Sequence, residues 1–168
     1  TVEANGADVV RWYMLASSPP WDNMKYSERG LRETWARFFD TLWNSYKFFA
    51  AYANIDGFAN AGSAIPVAAR TELDRWIASR TNTTIAECDA AYAAYDATRA
   101  ARAVERLRDE LSNWYIRRSR PRFWTGKKGA DPGVSDHDKL CAYQTTLECL
   151  VAIVKLMSPI APFLSEWL

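Results

Sequence analysis

Between Asp96 and Trp114 the apolar side chains Ala97, Ala100, Val104, Leu107, Leu111 and Trp114 recur at steps of three and four residues. That spacing lines up one face of an α-helix. Leu31, Trp35, Phe38, Leu42, Tyr46 and Phe49 repeat it, and Phe39, Trp43 and Ala50 add a second apolar face that makes this helix central. Leu140, Tyr143, Leu147, Leu150, Val151 and Val154 repeat it again. No stretch alternates apolar and polar side chains with a period of two between turn residues. The fold class this predicts is all-α, an antiparallel helix bundle.

Local signals divide the chain into elements. Gly6 to Ala16 reads as a first helix broken by Ser17-Ser-Pro-Pro, because proline lacks a donor and clashes with the preceding turn. Trp21 to Tyr26 connects it to a long helix capped by Ser27 and running to about Ala53. Asn54 to Pro66 is the main internal linker, rich in turn formers. Thr71-Glu-Leu-Asp has the form of a capping box and starts a third helix reaching about Ala91. Asp96 caps the fourth, which Pro121 is expected to end or kink, and Ser158-Pro159 ends the fifth before a short last helix. Trp35, Phe38, Leu42, Trp76, Leu107, Leu111 and Trp114 are expected in the core. The first and last residues both lie within unfinished patterns, so a piece of something longer is expected.

Chemistry is harder to find. The one histidine, His137, sits in a polar loop without a neighbouring nucleophile, and no glycine-rich phosphate loop occurs. No catalytic and no metal residues are predicted. Cys88, Cys141 and Cys149 are odd in number and form no C-x-x-C pair, which points to a reducing compartment and structural thiols. Cys141 and Cys149 lie two helical turns, ~12 Å, apart, too far to share a metal. With no signal peptide and only short unbroken apolar runs, the chain reads as cytoplasmic, without a membrane partner.

The exception is Arg117-Arg-Ser-Arg-Pro-Arg-Phe-Trp-Thr-Gly-Lys-Lys, with six basic residues and no acidic one in a chain whose net charge is only +1. Arginine forks suit phosphate oxygens, and Phe123 and Trp124 supply flat faces for stacking. A solvated helix end, whose carbonyl pole favours cations, accounts for the same run about equally well. On the first reading Arg117, Arg118, Arg120, Arg122, Lys127 and Lys128 contact RNA phosphates, fanned around a helix end at Pro121, and Trp124 stacks on a base.

The block from Phe38 to Phe58 resembles the start of the anticodon-binding domain of isoleucyl-tRNA synthetases. Gly6-Ala-Asp-Val-Val-Arg-Trp-Tyr is similar to the helix after that family's mobile lysine loop, and Ser17-Ser-Pro-Pro-Trp-Asp-Asn to its exit. Glu72-Leu-Asp-Arg-Trp-Ile, the stretch from Leu111 to Trp124, and Met157-Ser-Pro-Ile-Ala-Pro-Phe are similar to later family blocks, in family order. Met24-Lys-Tyr-Ser is a decoy for the lysine loop, which the resemblance places upstream of Thr1.

The resemblance implies a class Ia synthetase bundle. Residues 1–21 would end the stem-contact segment that follows the catalytic domain, and residues 22–168 would form the anticodon-binding bundle. It implies a parent that joins isoleucine to its tRNA with ATP and magnesium, and that carries zinc in a region absent here. This part, inactive by itself, would hold tRNA(Ile) and meet the remaining domains of the same synthetase. A valyl- or leucyl-type relative and a helical protein-interaction module stand as alternatives.

Overall fold

The computed structural model describes residues 6–60, 64–124 and 136–168, and among them every regular element is helical. α1 is Ala7–Ser17. α2 (Glu28–Thr34), a π segment (Trp35–Phe39) and α3 (Asp40–Asp56) follow one another without a break. After a 3-10 turn (Val67–Ala69) come α4 (Glu72–Ala93) and α5 (Ala97–Asp109). A second π segment (Glu110–Ile116) joins α5 to α6 (Arg117–Trp124), and α7 (Asp136–Met157) and the short α8 (Pro162–Trp167) complete the chain.

The caps read from the sequence are present. The Ser27 hydroxyl accepts from the Gly30 amide at 3.1 Å, and Asp96 accepts from the Arg99 amide at 2.9 Å. Thr71 and Asp74 exchange both bonds of the capping box. α3 extends to Asp56, a turn beyond the expected end, and stops where Gly57 adopts a left-handed φ of 64°.

α4 and α5 form a hairpin through Ala94 to Asp96 and pack against α7, while α1 lies on α5 and α2. Trp12 of α1 is fully buried, stacked on Phe38 at 4.1 Å and edge-on to Phe39 at 6.1 Å, and its indole N–H donates to Glu105. Gly30 permits this approach, since a Cβ there would meet the Tyr13 ring at 2.5 Å. At the other end of the bundle Phe49, Phe58, Phe123 and Tyr143 share edge and face contacts. The loop before α4 is tied to α7, because Arg70 pairs with Glu148 at 2.6 Å and the Ile65 amide donates to Gln144. α7 is long and apolar enough to cross a membrane by composition, yet 56% of its most apolar window is buried inside the bundle.

Two expectations about the core are corrected. Phe38, Leu42, Leu107 and Leu111 are buried and Trp76 is half-buried, but Trp35 and Trp114 remain 50% and 51% exposed. Both lie in π segments, whose i→i+5 turns take up one residue more than an α turn. Beyond Leu111 the inward positions are Tyr115 and Ile116, four and five residues on, and not Trp114, three residues on. Trp35, whose amide still closes an ordinary α turn on the Leu31 carbonyl, is left at the surface, and the next interior positions are Phe38 and Phe39.

Of the end or kink expected at Pro121, the end does not occur, because the helix continues through it to Trp124. The lost donor is tolerated because Arg122 and Phe123, beyond the proline, are held inside the bundle.

Removing the Leu107 side chain leaves a cavity in the α4–α5–α7 core, so Leu107→Ala should lower unfolding free energy by ~2–5 kcal/mol. Trp114→Ala, at a half-exposed position, should change it by only about 0.5 kcal/mol. Urea titrations of the two variants check this; comparable losses would place Trp114 back in the core.

Candidate functional site

α6 separates its basic run into two faces. Ser119, Arg122 and Phe123 turn inward, while Arg117, Arg118, Arg120 and Trp124 are exposed. Because the helix does not stop at Pro121, Arg117, Arg120 and Trp124 fall in one stripe at steps of three and four, with Arg118 beside it. The fan around a broken helix end that the sequence suggested is not formed. Arg120 lies 6.0 Å above the Phe48 ring, which steadies the guanidinium without neutralising it.

Arg122 belongs to the interior. Its two terminal nitrogens donate to the two Asp74 oxygens, both at 2.8 Å, and its Nε donates to Asp138 at 3.0 Å. Nη2 also donates to the Asp138 carbonyl. Asp74 receives further bonds from the Tyr115 hydroxyl at 2.5 Å and the Thr71 hydroxyl at 2.6 Å. Burial works against the Asp74 carboxylate, but the bonds from Arg122, Thr71 and Tyr115 outweigh it and hold its pKa below the ordinary 3.8. Burial likewise opposes the Arg122 charge, and Asp74 and Tyr115 overcome it, raising its pKa above the usual value. Burial, with Asp74 beside it, pushes the Tyr115 hydroxyl well up. Arg122 is thus withdrawn from the expected phosphate contacts: a bidentate carboxylate occupies its fork. Phe123 is withdrawn as a stacking face, since it packs on Phe48 and Tyr143.

Trp124, 58% exposed, keeps its rings in solvent as expected. Lys127 and Lys128 lie outside the described residues. Sequence reasoning missed Trp114. It sits four residues before Arg118, whose guanidinium stacks 4.8 Å above it, and together with Trp76, Leu73, Glu72 and Thr71 they line an open groove of about 480 Å3. The i, i+4 pairing of tryptophan with arginine is the signal that could have found it.

No grouping of three or more His, Cys, Asp or Glu side chains suited to a metal occurs among the described residues. The three thiols are buried, and burial pushes Cys88 up to about 11 and Cys149 up to about 12. His137 is exposed, with Nδ1 3.7 Å from the Cys141 sulfur. What the described surface offers is flat π systems and unpaired planar cations, side by side on the second π segment and α6.

Residues 74–168 match the family described as the anticodon-binding domain of tRNA ligase. The isoleucine–tRNA ligase of Bacteroides thetaiotaomicron is 47% identical over 167 residues, covering 99% of this chain and 14% of that protein. That of Porphyromonas gingivalis shows the same identity and coverage. The Deinococcus radiodurans protein of that name is 43% identical over 161 residues, 96% of this chain and 14% of its own length. The chain thus spans about one seventh of the length of these relatives.

Asp74→Asn should cost ~3–5 kcal/mol, because it leaves Arg122 buried against a neutral partner. A depressed folded pKa contributes stability that is fully present above the unfolded value near 3.8 and is lost as pH falls through the lower folded value. Denaturation measured from pH 7 down to pH 2 should therefore show a steeper acid loss in the wild type than in Asp74→Asn. Parallel curves would remove Asp74 from this role.

Proposed function

This chain belongs to the anticodon-binding domain family of tRNA ligases, and from that premise we propose that it is the tRNA-holding part of an isoleucine–tRNA ligase, with tRNA(Ile) as its nucleic-acid partner. The observation that carries the reading is the exposed stripe of Arg117, Arg118 and Arg120, three cations with no carboxylate partner among the described residues, flanked by the open rings of Trp114 and Trp124. Guanidinium groups on a rigid helix meet phosphates, and phosphate contacts set register without reading sequence. A net charge of +1 means that this attraction is local and does not come from the whole chain.

On this reading the reacting groups, with ATP, magnesium and zinc, belong to other parts of the synthetase, and the chain holds tRNA in the cytoplasm for chemistry performed there. Residues 1–21 form the stem-contact approach, and residues 22–168 form the bundle proper. The fully buried Trp12 supports a stiff coupling between them, because α1 cannot tilt without disturbing Phe38 and Phe39.

If three arginines neutralise phosphates, log K for tRNA(Ile) should fall against log salt with a slope of about −2 to −3, from ~0.7 to 0.9 per contact. Replacing Arg117 and Arg120 together with alanine should flatten that slope by about one to two units. Filter binding of the chain across a salt series reads both values. An unchanged slope in the double variant would move the tRNA contact off α6, and the absence of salt-dependent binding would favour a protein-interaction module.

A further inference from the structure

Two stretches of sequence take no part in the basic stripe, Gly6-Ala-Asp-Val-Val-Arg-Trp-Tyr and Met157-Ser-Pro-Ile-Ala-Pro-Phe, and the fold clasps them together. Asp8 and Arg11 stand three residues apart on α1, so they share one side of that helix. The Arg11 Nε donates to the Ile160 carbonyl at 2.7 Å, 149 positions away in the chain, and its Nη2 donates to the Pro159 carbonyl at 3.2 Å. The Asp8 carboxylate accepts from the Leu164 amide at 2.7 Å, in the first turn of α8. One side of α1 thus holds both the turn that ends α7 and the start of the helix that follows it.

This clasp is the second attachment of α1, near its start; the first, toward its end, is to α5. There the Trp12 indole donates to Glu105 at 2.9 Å and the Thr98 hydroxyl donates to the Leu15 carbonyl at 2.7 Å. Arg102 donates to the Ala16 and Ser17 carbonyls at 3.2 and 3.1 Å, which satisfies acceptors that the last turn of a helix leaves open. α5 runs through the second π segment into α6, which carries Arg117, Arg118 and Arg120. α7 ends at the clasp and begins beside Arg122 of α6, through Asp138. α1 is therefore fixed to both helices that hold the basic stripe. A single attachment would leave it free to pivot, and two, at different ends and on different helices, remove the pivot. Stability alone does not account for Asp8, which is 7% exposed and whose Oδ1 has no hydrogen-bond partner among the described residues. One amide bond does not offset the desolvation of a buried carboxylate with an oxygen unused.

We infer that Asp8 and Arg11 are positioning residues for tRNA charging: by holding the α7–α8 turn they fix the angle between α1 and the bundle. That angle sets where tRNA held by the bundle lies relative to the reacting groups elsewhere in the ligase. The inference rests on the tRNA-holding reading and adds to it the side chains that set the geometry. Asp8 and Arg11 act through the turn and α8, not by contact with tRNA. Rate is the quantity such a brace controls, because a misplacement of about 1 Å far from the chemistry can cost about 100-fold.

The test uses the whole ligase of which, on that reading, this chain is part, and compares isoleucine-dependent pyrophosphate exchange, run without tRNA, with charging of tRNA(Ile). Arg11→Met and Asp8→Ala should lower kcat for charging roughly 10- to 100-fold, with KM for tRNA and the exchange rate unchanged. Arg11→Lys can still donate to a carbonyl and Asp8→Asn can still accept from the Leu164 amide, so both should retain most of the charging rate. Thermal unfolding of the 168-residue chain carrying each change controls for folding. Should Arg11→Met unfold it, Asp8→Ala, which removes a single bond, carries the same comparison. Exchange and charging that fall together, a raised KM with kcat unchanged, or no change in either reaction overturns the positioning role alone. Failure of the wild-type chain to bind tRNA(Ile) at any salt, while the whole ligase charges normally, overturns the tRNA-holding reading and this inference with it.

Discussion

The bidentate pair between Arg122 and Asp74 is the contact on which the arrangement of the basic face depends. Asp74 stands in the first turn of α4, Arg122 in the last turn of α6, and Asp138 in the first turn of α7, so one guanidinium fastens three helix ends at a single buried point. Two charges out of water are stable only when their remaining lone pairs and protons are used. Here Tyr115 and Thr71 fill the remaining positions on Asp74. The same contact keeps the turn beyond Pro121 helical. Without it the exposed arginines would lie on a frayed end, and ordering them would cost any ligand part of its binding energy.

The division of labour within the basic run follows directly. A helix that buries one face presents its other positions to water, and α6 buries Ser119, Arg122 and Phe123. Four arginines close together in the chain therefore do unlike work: one is structural and saturated, and three are exposed. Arg118 and Arg120 each rest near an aromatic ring, Trp114 and Phe48, which limits their wandering without quenching their charge.

The two π segments have matching consequences at two places. Each interrupts a long helix, and each holds a half-exposed tryptophan beside buried aromatics. Around Trp35 the neighbouring rings are Phe39, Trp43 and Trp167, an apolar surface with no charge in it. Around Trp114 the neighbours include Arg118 and Glu72. The two surfaces thus differ in chemistry while their tryptophans are almost equally exposed.

Much was legible in the amino-acid order alone. The three–four spacing of Leu31, Phe38, Leu42, Val104, Leu107 and Leu111 specified helices and their inward faces, and Ser27, Thr71 and Asp96 specified where helices begin. These are interactions among residues a few positions apart, so the chain carries them locally. The run from Arg117 to Trp124 could be recognised as basic and aromatic for the same reason. Which arginine faces water could not, because the partner that claims Arg122 lies 48 residues away and becomes its neighbour only when α4 and α6 pack together. The exposure of Trp114 likewise depends on a π turn, and nothing in the local spacing signals a one-residue change of register. Helix positions followed from short-range physics; the assignment of each side chain to core or surface at the interface was decided by tertiary contacts, since a buried charge is held only where the fold brings its counterpart.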